Sequence, residues 1–366
     1  MEHMKTRMRH LIAASVIGIV AASAAHAQDN PTLSGEGDKF TLKTVTQTLP
    51  TLTQYTKVEM PIYKQVPDWT NGRVAVEPST WAEYGVQAAD ILNLVRQGQV
   101  DVGAAPLAQV SGQVPFLEIA DLAGLSPDVK TARSVADAVI DASNTELEKF
   151  GIRMIGTYPF PANIMFCKDE VDSLADLEGH KVRTFSPSQN DLVQSLGGQT
   201  VSIGFPEVYG ALERGVADCA VTAALSGNAA KWFEVTNSML NIPVSWGTGG
   251  YYVSLDWWNG LAPDVQTFVG DLYAKIEDEQ WALAAAGTAD GVACNSGDEA
   301  NCKIGQLVSA EQAMSVVTPS EEDMAKLRQT LTDVVIPAWV ARCGEDCAAK
   351  FDEILGPVTG LSASTN

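Results

Sequence analysis

Hydrophobic and polar positions along the chain follow two alternating periods. Short β-rich runs are separated by stretches in which apolar residues recur at helical spacing, the pattern of an α/β protein with mostly parallel sheets. Phe40 to Thr46 reads as a first strand, followed by a helix through Tyr55 to Val66 and a strand Arg73 to Pro78. A helix from Ala88 to Gln97, a strand Val100 to Ala105, a helix around Val135 to Phe150 and a strand Ile152 to Thr157 come next. The apolar run Asn163 to Cys167 then reads as a crossing into a second lobe, which holds Lys181 to Thr184, a helix near Gln189 to Leu196, and Val201 to Ile203. Val265, Phe268, Val269, Leu272 and Ile276 mark a long amphipathic helix over about 263–287, long enough to lie across two lobes.

At the N-terminus, Lys5, Arg7 and Arg9 precede an apolar run, Leu11 to Ala25, that ends in Ala25-His26-Ala27. A basic start, an apolar middle and a small-x-small end make a secretory signal, so residues 1–27 are expected to be cleaved and 28–366 to form an exported mature protein in the periplasm. The alternative is a retained N-terminal anchor. No later stretch reaches the roughly 20 apolar residues that span a bilayer.

Composition narrows the chemistry. The 24 basic residues are outnumbered by 45 acidic ones, for a net charge of -21, and no basic stripe is present to neutralise phosphates. Nucleic acid is therefore not an expected partner. Of the 4 histidines, His3, His10 and His26 leave with the signal, so His180 alone would have to serve any imidazole chemistry. It lies in the turn Glu178-Gly179-His180-Lys181, where a solvated side chain is the default. No catalytic residue, no cofactor and no metal site is expected. An enzyme would have to rely on carboxylates such as Asp101, Glu118 or Asp218, which read as strand-end structural groups.

The 6 cysteines of an exported chain favour disulfides. Locality pairs Cys294 with Cys302 around a polar loop and Cys343 with Cys347 around Gly344-Glu345-Asp346. Cys167 and Cys219, each inside an apolar run, could form a third bridge or remain two buried thiols.

Three stretches carry a family resemblance. They are Leu174-Ala175-Asp176-Leu177-Glu178-Gly179-His180-Lys181-Val182-Arg183-Thr184, then Leu196-Gly197-Gly198, then Phe205 through Asp218 with Glu207, Tyr209, Ala211-Leu212 and Gly215 at motif positions. Together they resemble the DctP-type solute-binding proteins of TRAP transporters. The element Gly98 to Asp101, which repeats the form of Gly215 to Asp218, extends the likeness toward the N-terminus. The resemblance implies a two-lobed periplasmic clamshell with a long lobe-spanning helix. Lobe I would take about 38–158 and lobe II about 163–255, each with part of the C-terminal region. Such a protein holds a small organic anion in the inter-lobe cleft and delivers it to TRAP membrane permease subunits for sodium-driven uptake. The rival reading is the binding protein of an ABC importer or a signalling receptor.

In that family the arginine of the Lys-x-Arg motif, here Arg183, clamps the ligand carboxylate. A planar guanidinium matches both carboxylate oxygens and stays charged when desolvated. The sequence also departs from the family. A second arginine, common some 20 residues upstream, is replaced at or near Asn163, and Asp218 is followed by Cys219-Ala220-Val221-Thr222 instead of Gln-Glu-Asn. One cation, with Asn163 and Thr222 as neutral hydrogen-bonding groups, favours a monocarboxylate over a dicarboxylate. Trp81, Tyr84, Tyr209, Trp232 and Trp246 are the aromatic pocket candidates, each also readable as core.

Overall fold

In the computed structural model, which describes residues 30–364, the chain builds two mixed sheets. The expected export signal lies outside the described residues. The first sheet has the order β2-β1-β3-β10-β4 and comprises β1 (Phe40–Val45), β2 (Val74–Ser79), β3 (Val102–Pro106), β4 (Ile152–Tyr158) and β10 (Gly249–Ser254). The second has the order β11-β9-β5-β8-β6-β7. Its strands are β5 (Asn163–Cys167), β6 (Lys181–Thr184), β7 (Gln199–Ser202), β8 (Cys219–Ala223), β9 (Ser238–Ser245) and β11 (Ser315–Val317).

Each sheet is parallel except for one reversed strand, β10 in the first and β5 in the second. Those two strands are the arrivals from the other sheet: β4 leads into β5 through residues 159–162, and β9 leads into β10 through residues 246–248. Connections this short leave no room for a crossover helix, so the incoming strand must run antiparallel to its new neighbours. The two crossovers are tied together by Phe160 N–H donating to the Trp246 carbonyl at 2.8 Å.

The expected elements form within a few residues of their predicted bounds, and the long helix is the main exception. It runs Pro263–Asn295, beyond the expected end near 287. Gly287 and Gly291 sit where the helix touches the second lobe. A Cβ on Gly291 would meet Leu225 N at 2.6 Å, and one on Gly287 would meet Leu225 Cδ1 at 2.6 Å. Both glycines allow close approach to the helix Ala224–Ala229 and do not terminate the long one. The long helix also packs on β4, so it spans both lobes.

All six cysteines are paired. Cys294–Cys302 and Cys343–Cys347 form as expected, and Cys167–Cys219 forms a third bridge between directly opposed residues of β5 and β8.

Candidate functional site

The strand ends of the two sheets converge on a cleft. In α/β sheets ligands bind at the carboxyl ends of the strands, and here the ends of β1 and β3 face those of β6 and β8. The inner part offers about 40 Å³ to the centre of a water-sized sphere and is lined by Thr48, Leu52 and Pro106 from the first lobe, Arg183, Phe185, Thr222 and Ser226 from the second, and Phe160 and Gly247 from the crossovers. An outer part, about 380 Å³ by the same measure, shares Thr48, Gln109, Arg183, Phe185 and Phe205 and opens past Trp81 and Gln87. Arg183 is the one charged residue among all those that line either part.

The setting of Arg183 defines the chemistry. Its side chain is only 2% exposed. Nε donates to the Ile203 carbonyl at 3.1 Å and Nη1 to the Val221 carbonyl at 3.1 Å, while the guanidinium carbon stands 5.6 Å from the centre of the Phe185 ring. No carboxylate lies within salt-bridge distance of it among the described residues. Burial without a compensating anion pushes its pKa down to about 9. With Nε and one Nη1 hydrogen committed to carbonyls, the second Nη1 hydrogen and those of Nη2 have no protein acceptor among the described residues, and a guanidinium with such donors left over can pair with a carboxylate through two parallel hydrogen bonds.

Asn163 starts β5 and lines the inner cavity, where its Nδ2 donates to Ser245 Oγ at 3.1 Å. Thr222 of β8 lines it as well. Gly247, at φ +56°, passes close by: a Cβ there would meet Phe160 Cδ2 at 2.9 Å and Asn163 Nδ2 at 3.2 Å, so the left-handed crossover requires glycine.

The aromatic candidates divide. Trp81 borders the outer cleft and is fixed by Nε1–H donating to the Ala104 carbonyl at 2.9 Å. The other four do not line the cavity. Tyr84 points to solvent at 41% exposure. Tyr209 lies on the surface, its hydroxyl donating to Glu234 at 2.8 Å. Trp232 is packed edge-on against Phe166 inside the second lobe. Trp246 is buried with Trp281 behind the crossover, its indole N–H donating to the Ser126 carbonyl at 2.9 Å. Three phenylalanines that the sequence reading passed over as site residues, Phe160, Phe185 and Phe205, supply the rings instead. Phe185 lies two residues beyond Arg183, a position on the same side of the extended chain, and that spacing is the one signal that marked it.

Two buried acids support the site from behind. Asp121 accepts from the Trp246 backbone N–H at 2.8 Å and is surrounded by the amides of Gly247 and Thr248 and the Ser245 hydroxyl, all of the β9–β10 crossover. Glu59, in the helical residues 54–63, accepts from Thr46, from Gln47 Nε2 at 2.7 Å and from the Tyr251 hydroxyl at 2.9 Å. Burial pushes both carboxyls up to about 7, against the pull of these hydrogen bonds.

Comparison with known proteins agrees with this architecture. Residues 46–338 match the family model of bacterial extracellular solute-binding proteins, family 7. An uncharacterised protein of Sinorhizobium fredii is 30% identical over 177 residues, 46% of this chain and 32% of that protein, so the chain spans about a third of that relative's length. DctP7 of Bordetella pertussis, an extracytoplasmic solute receptor binding pyroglutamic acid, superimposes with a TM-score of 0.75 at 19% identity over 88% of this chain and 100% of that one. A TRAP periplasmic solute-binding protein from Desulfovibrio salexigens with bound orotic acid gives 0.76 at 17% identity, covering 87% and 100%. The chain belongs to the bacterial extracellular solute-binding proteins of family 7, the DctP-type proteins of TRAP transporters.

Proposed function

We propose that the protein captures a small organic monocarboxylate in the inter-lobe cleft and delivers it to the membrane permease of a TRAP transporter for sodium-driven uptake. The observation that carries this reading is Arg183, a buried cation with free prongs on a cavity and no protein anion to neutralise it. Leaving a charge desolvated is costly, and a ligand carboxylate in that space removes the cost. The overall charge of -21 repels anions, so a local cation must supply the attraction.

The lining argues for the finer class. No second cation borders the cavity to hold another carboxylate, and no acid borders it to hold an ammonium group. Phe160, Phe185 and Phe205 suit a flat or cyclic body, and Thr48, Gln109, Asn163, Thr222 and Ser226 suit neutral polar substituents. Pyroglutamate and orotate, held by two structural relatives, have this form: a ring, one carboxylate and amide groups. In this reading residues 1–27 are the export signal of a periplasmic protein. Lobe I takes about 38–158 and lobe II about 163–255, with the C-terminal region shared between them.

A thermal-shift screen of carboxylates tests the proposal. A ligand that binds only the folded state stabilises it by about 2.7 kcal/mol at a hundredfold excess over Kd, so pyroglutamate and other cyclic monocarboxylates should raise Tm by several degrees. Shifts from dicarboxylates alone would refute the single-anchor reading, and no shift from any carboxylate would refute carboxylate binding.

A further inference from the structure

The first lobe contributes an unusual piece of backbone to the cleft. Gln47, just past β1, has φ +48°, one of three non-glycine residues with positive φ among the described residues. Isolated strain of this kind persists only where the surroundings enforce it. The next residue, Thr48, lines both parts of the cleft, and Leu52 lines the inner one. The Gln47 and Thr48 carbonyls accept from Trp81 and Ala82 N–H at 3.0 and 3.2 Å, so the same turn sets the helix Trp81–Tyr84 at the cleft mouth.

Glu59 is hydrogen-bonded to the turn. Its carboxylate takes the Thr46 hydroxyl and the Gln47 amide on one side. On the other it takes the Tyr251 hydroxyl of β10 and, at 3.5 Å, Gln280 Nε2 of the long helix. One buried carboxylate thus ties the binding turn to the strand that arrives from the second lobe and to the helix that spans both.

We propose that Glu59 is a positioning residue for ligand binding: through Gln47 it holds the strained turn that presents Thr48 and Leu52 to the ligand. The proposal rests on the cleft being the binding site. An ionised Glu59 accepts from all four donors, whereas a protonated one spends an oxygen on its own hydrogen and loosens the tether. The other titratable groups that face it are phenols: Tyr55 and Tyr63 from the helical residues 54–63, Tyr158 from β4, Tyr251 from β10 and Tyr273 from the long helix. Burial raises every one of them, so all stay neutral through pH 8. The carboxylates nearest the network, Glu83 and Asp101, act on Tyr55 and Tyr273. Glu59 is then the group of this network that changes charge between pH 6 and 8.

The test compares wild type, Glu59→Gln, Gln47→Gly and Arg183→Ala by amide hydrogen exchange and by calorimetry with pyroglutamate as probe. Gln47→Gly accepts the positive φ without strain but cannot reach Glu59, so it separates the tether from the backbone shape. Both first-lobe variants should exchange amides 46–53 at least tenfold faster at pH 8, with amides 182–186 unchanged, and should bind pyroglutamate at least tenfold more weakly. In wild type, an opening of 46–53 that strips Thr46 and Gln47 from a still-buried Glu59 favours its protonated form, so protection of 46–53 corrected for intrinsic rates should fall from pH 8 to pH 6 even though global stability does not, and Glu59→Gln should abolish that change. Unchanged exchange in 46–53 in both variants overturns the proposal, as does affinity within threefold of wild type. If Arg183→Ala retains binding, it is the carboxylate-anchor reading that fails. Exchange in 46–53 decides the tether with or without a bound probe.

Discussion

Arg183 on the second sheet and Glu59 beside the first are both buried charges with no ion-pair partner among the described residues, yet their surroundings differ in kind. Glu59 is enclosed by four donors, from Thr46, Gln47, Tyr251 and Gln280, which replace the water it has lost. Arg183 donates to two carbonyls, its other donors have no protein acceptor among the described residues, and it lines the cleft. A buried charge satisfied from within organises structure, whereas one left short of partners on a cavity has donors to offer a ligand, as proposed for Arg183. Burial moves each toward its neutral form, the acid upward and the base downward, but only the base has room beside it for a counter-ion to restore the balance.

The sharpest way to break the comparison is to remove Arg183. Arg183→Ala should leave the protein folded and weaken carboxylate binding by about 2–5 kcal/mol, the range for deleting one partner of a buried charged pair. Calorimetry showing affinity within threefold of wild type would sink the assignment. Arg183→Met should abolish binding while raising the Tm of the free protein, because a desolvated cation is replaced by an apolar side chain of similar length. Arg183→Lys should rescue binding only in part, having lost the planar fork.

The lobe that carries Arg183 is also cross-linked in a way the other sheet is not. Cys167–Cys219 joins β5 to β8 across a separation of 52 residues, against 8 for Cys294–Cys302. Chain entropy alone predicts that losing the first costs about 4 kcal/mol and losing the second about 2.5. Serine replacement of each pair, followed by denaturant melts, should rank them in that order, and a reversed order would show that strain or residual structure outweighs loop length. The two local pairs were readable from spacing. The third was not, because sequence shows two strand-like runs but not that they are neighbours with Cys167 opposite Cys219.

The same limit explains what else was legible. Strand and helix periods located most elements of both lobes, since alternating burial is written into residue order. The Lys-x-Arg motif placed Arg183 because its neighbours carry a recurrent pattern. Aromatic identity, by contrast, says little about direction. Trp232 and Trp246 fill cores, while Phe160 and Phe185 reach the cleft, and the difference depends on which way the crossovers and strand ends turn. Glu59 left no mark in the sequence at all, because its role exists only where four separate segments converge.

Glu59 gives the next prediction, through stability and not affinity. Its folded pKa is raised to about 7 from 4.5, so between those values the folded state keeps a proton that the unfolded chain has released. The contribution is fully present below about pH 4.5 and lost as pH rises through 7, a span worth about 3 kcal/mol. Asp121, raised to about 7 from 3.8, acts in the same direction. Unfolding free energies measured from pH 4.5 to 8 should therefore fall with pH, and Glu59→Gln should flatten the part due to Glu59 while leaving that of Asp121. Stability that rises over this range would mean both carboxylates are held ionised by their donors, and the contrast with Arg183 would become one of satisfied against unsatisfied charge only.

The smallest effect is expected at Tyr209, which belongs to the recognised motif and yet lies away from the cleft. Its hydroxyl donates to Glu234 across the surface of the second lobe. An exposed hydrogen bond of this kind exchanges readily with water, so Tyr209→Phe should change stability by no more than about 0.5 kcal/mol. Affinity for a carboxylate that depends on Arg183 should stay within twofold, because the phenol oxygen bonds Glu234, which does not line the cavity, and the ring's packing near Phe205 is kept in the Phe variant. A loss of tenfold or more in Tyr209→Phe would mean that the helix Val208–Glu213 shifts to bring the ring into the cleft when ligand binds. The second lobe would then supply a hydroxyl donor beside its guanidinium, and the division of labour between a cation from one lobe and a tethered polar turn from the other would have to be redrawn.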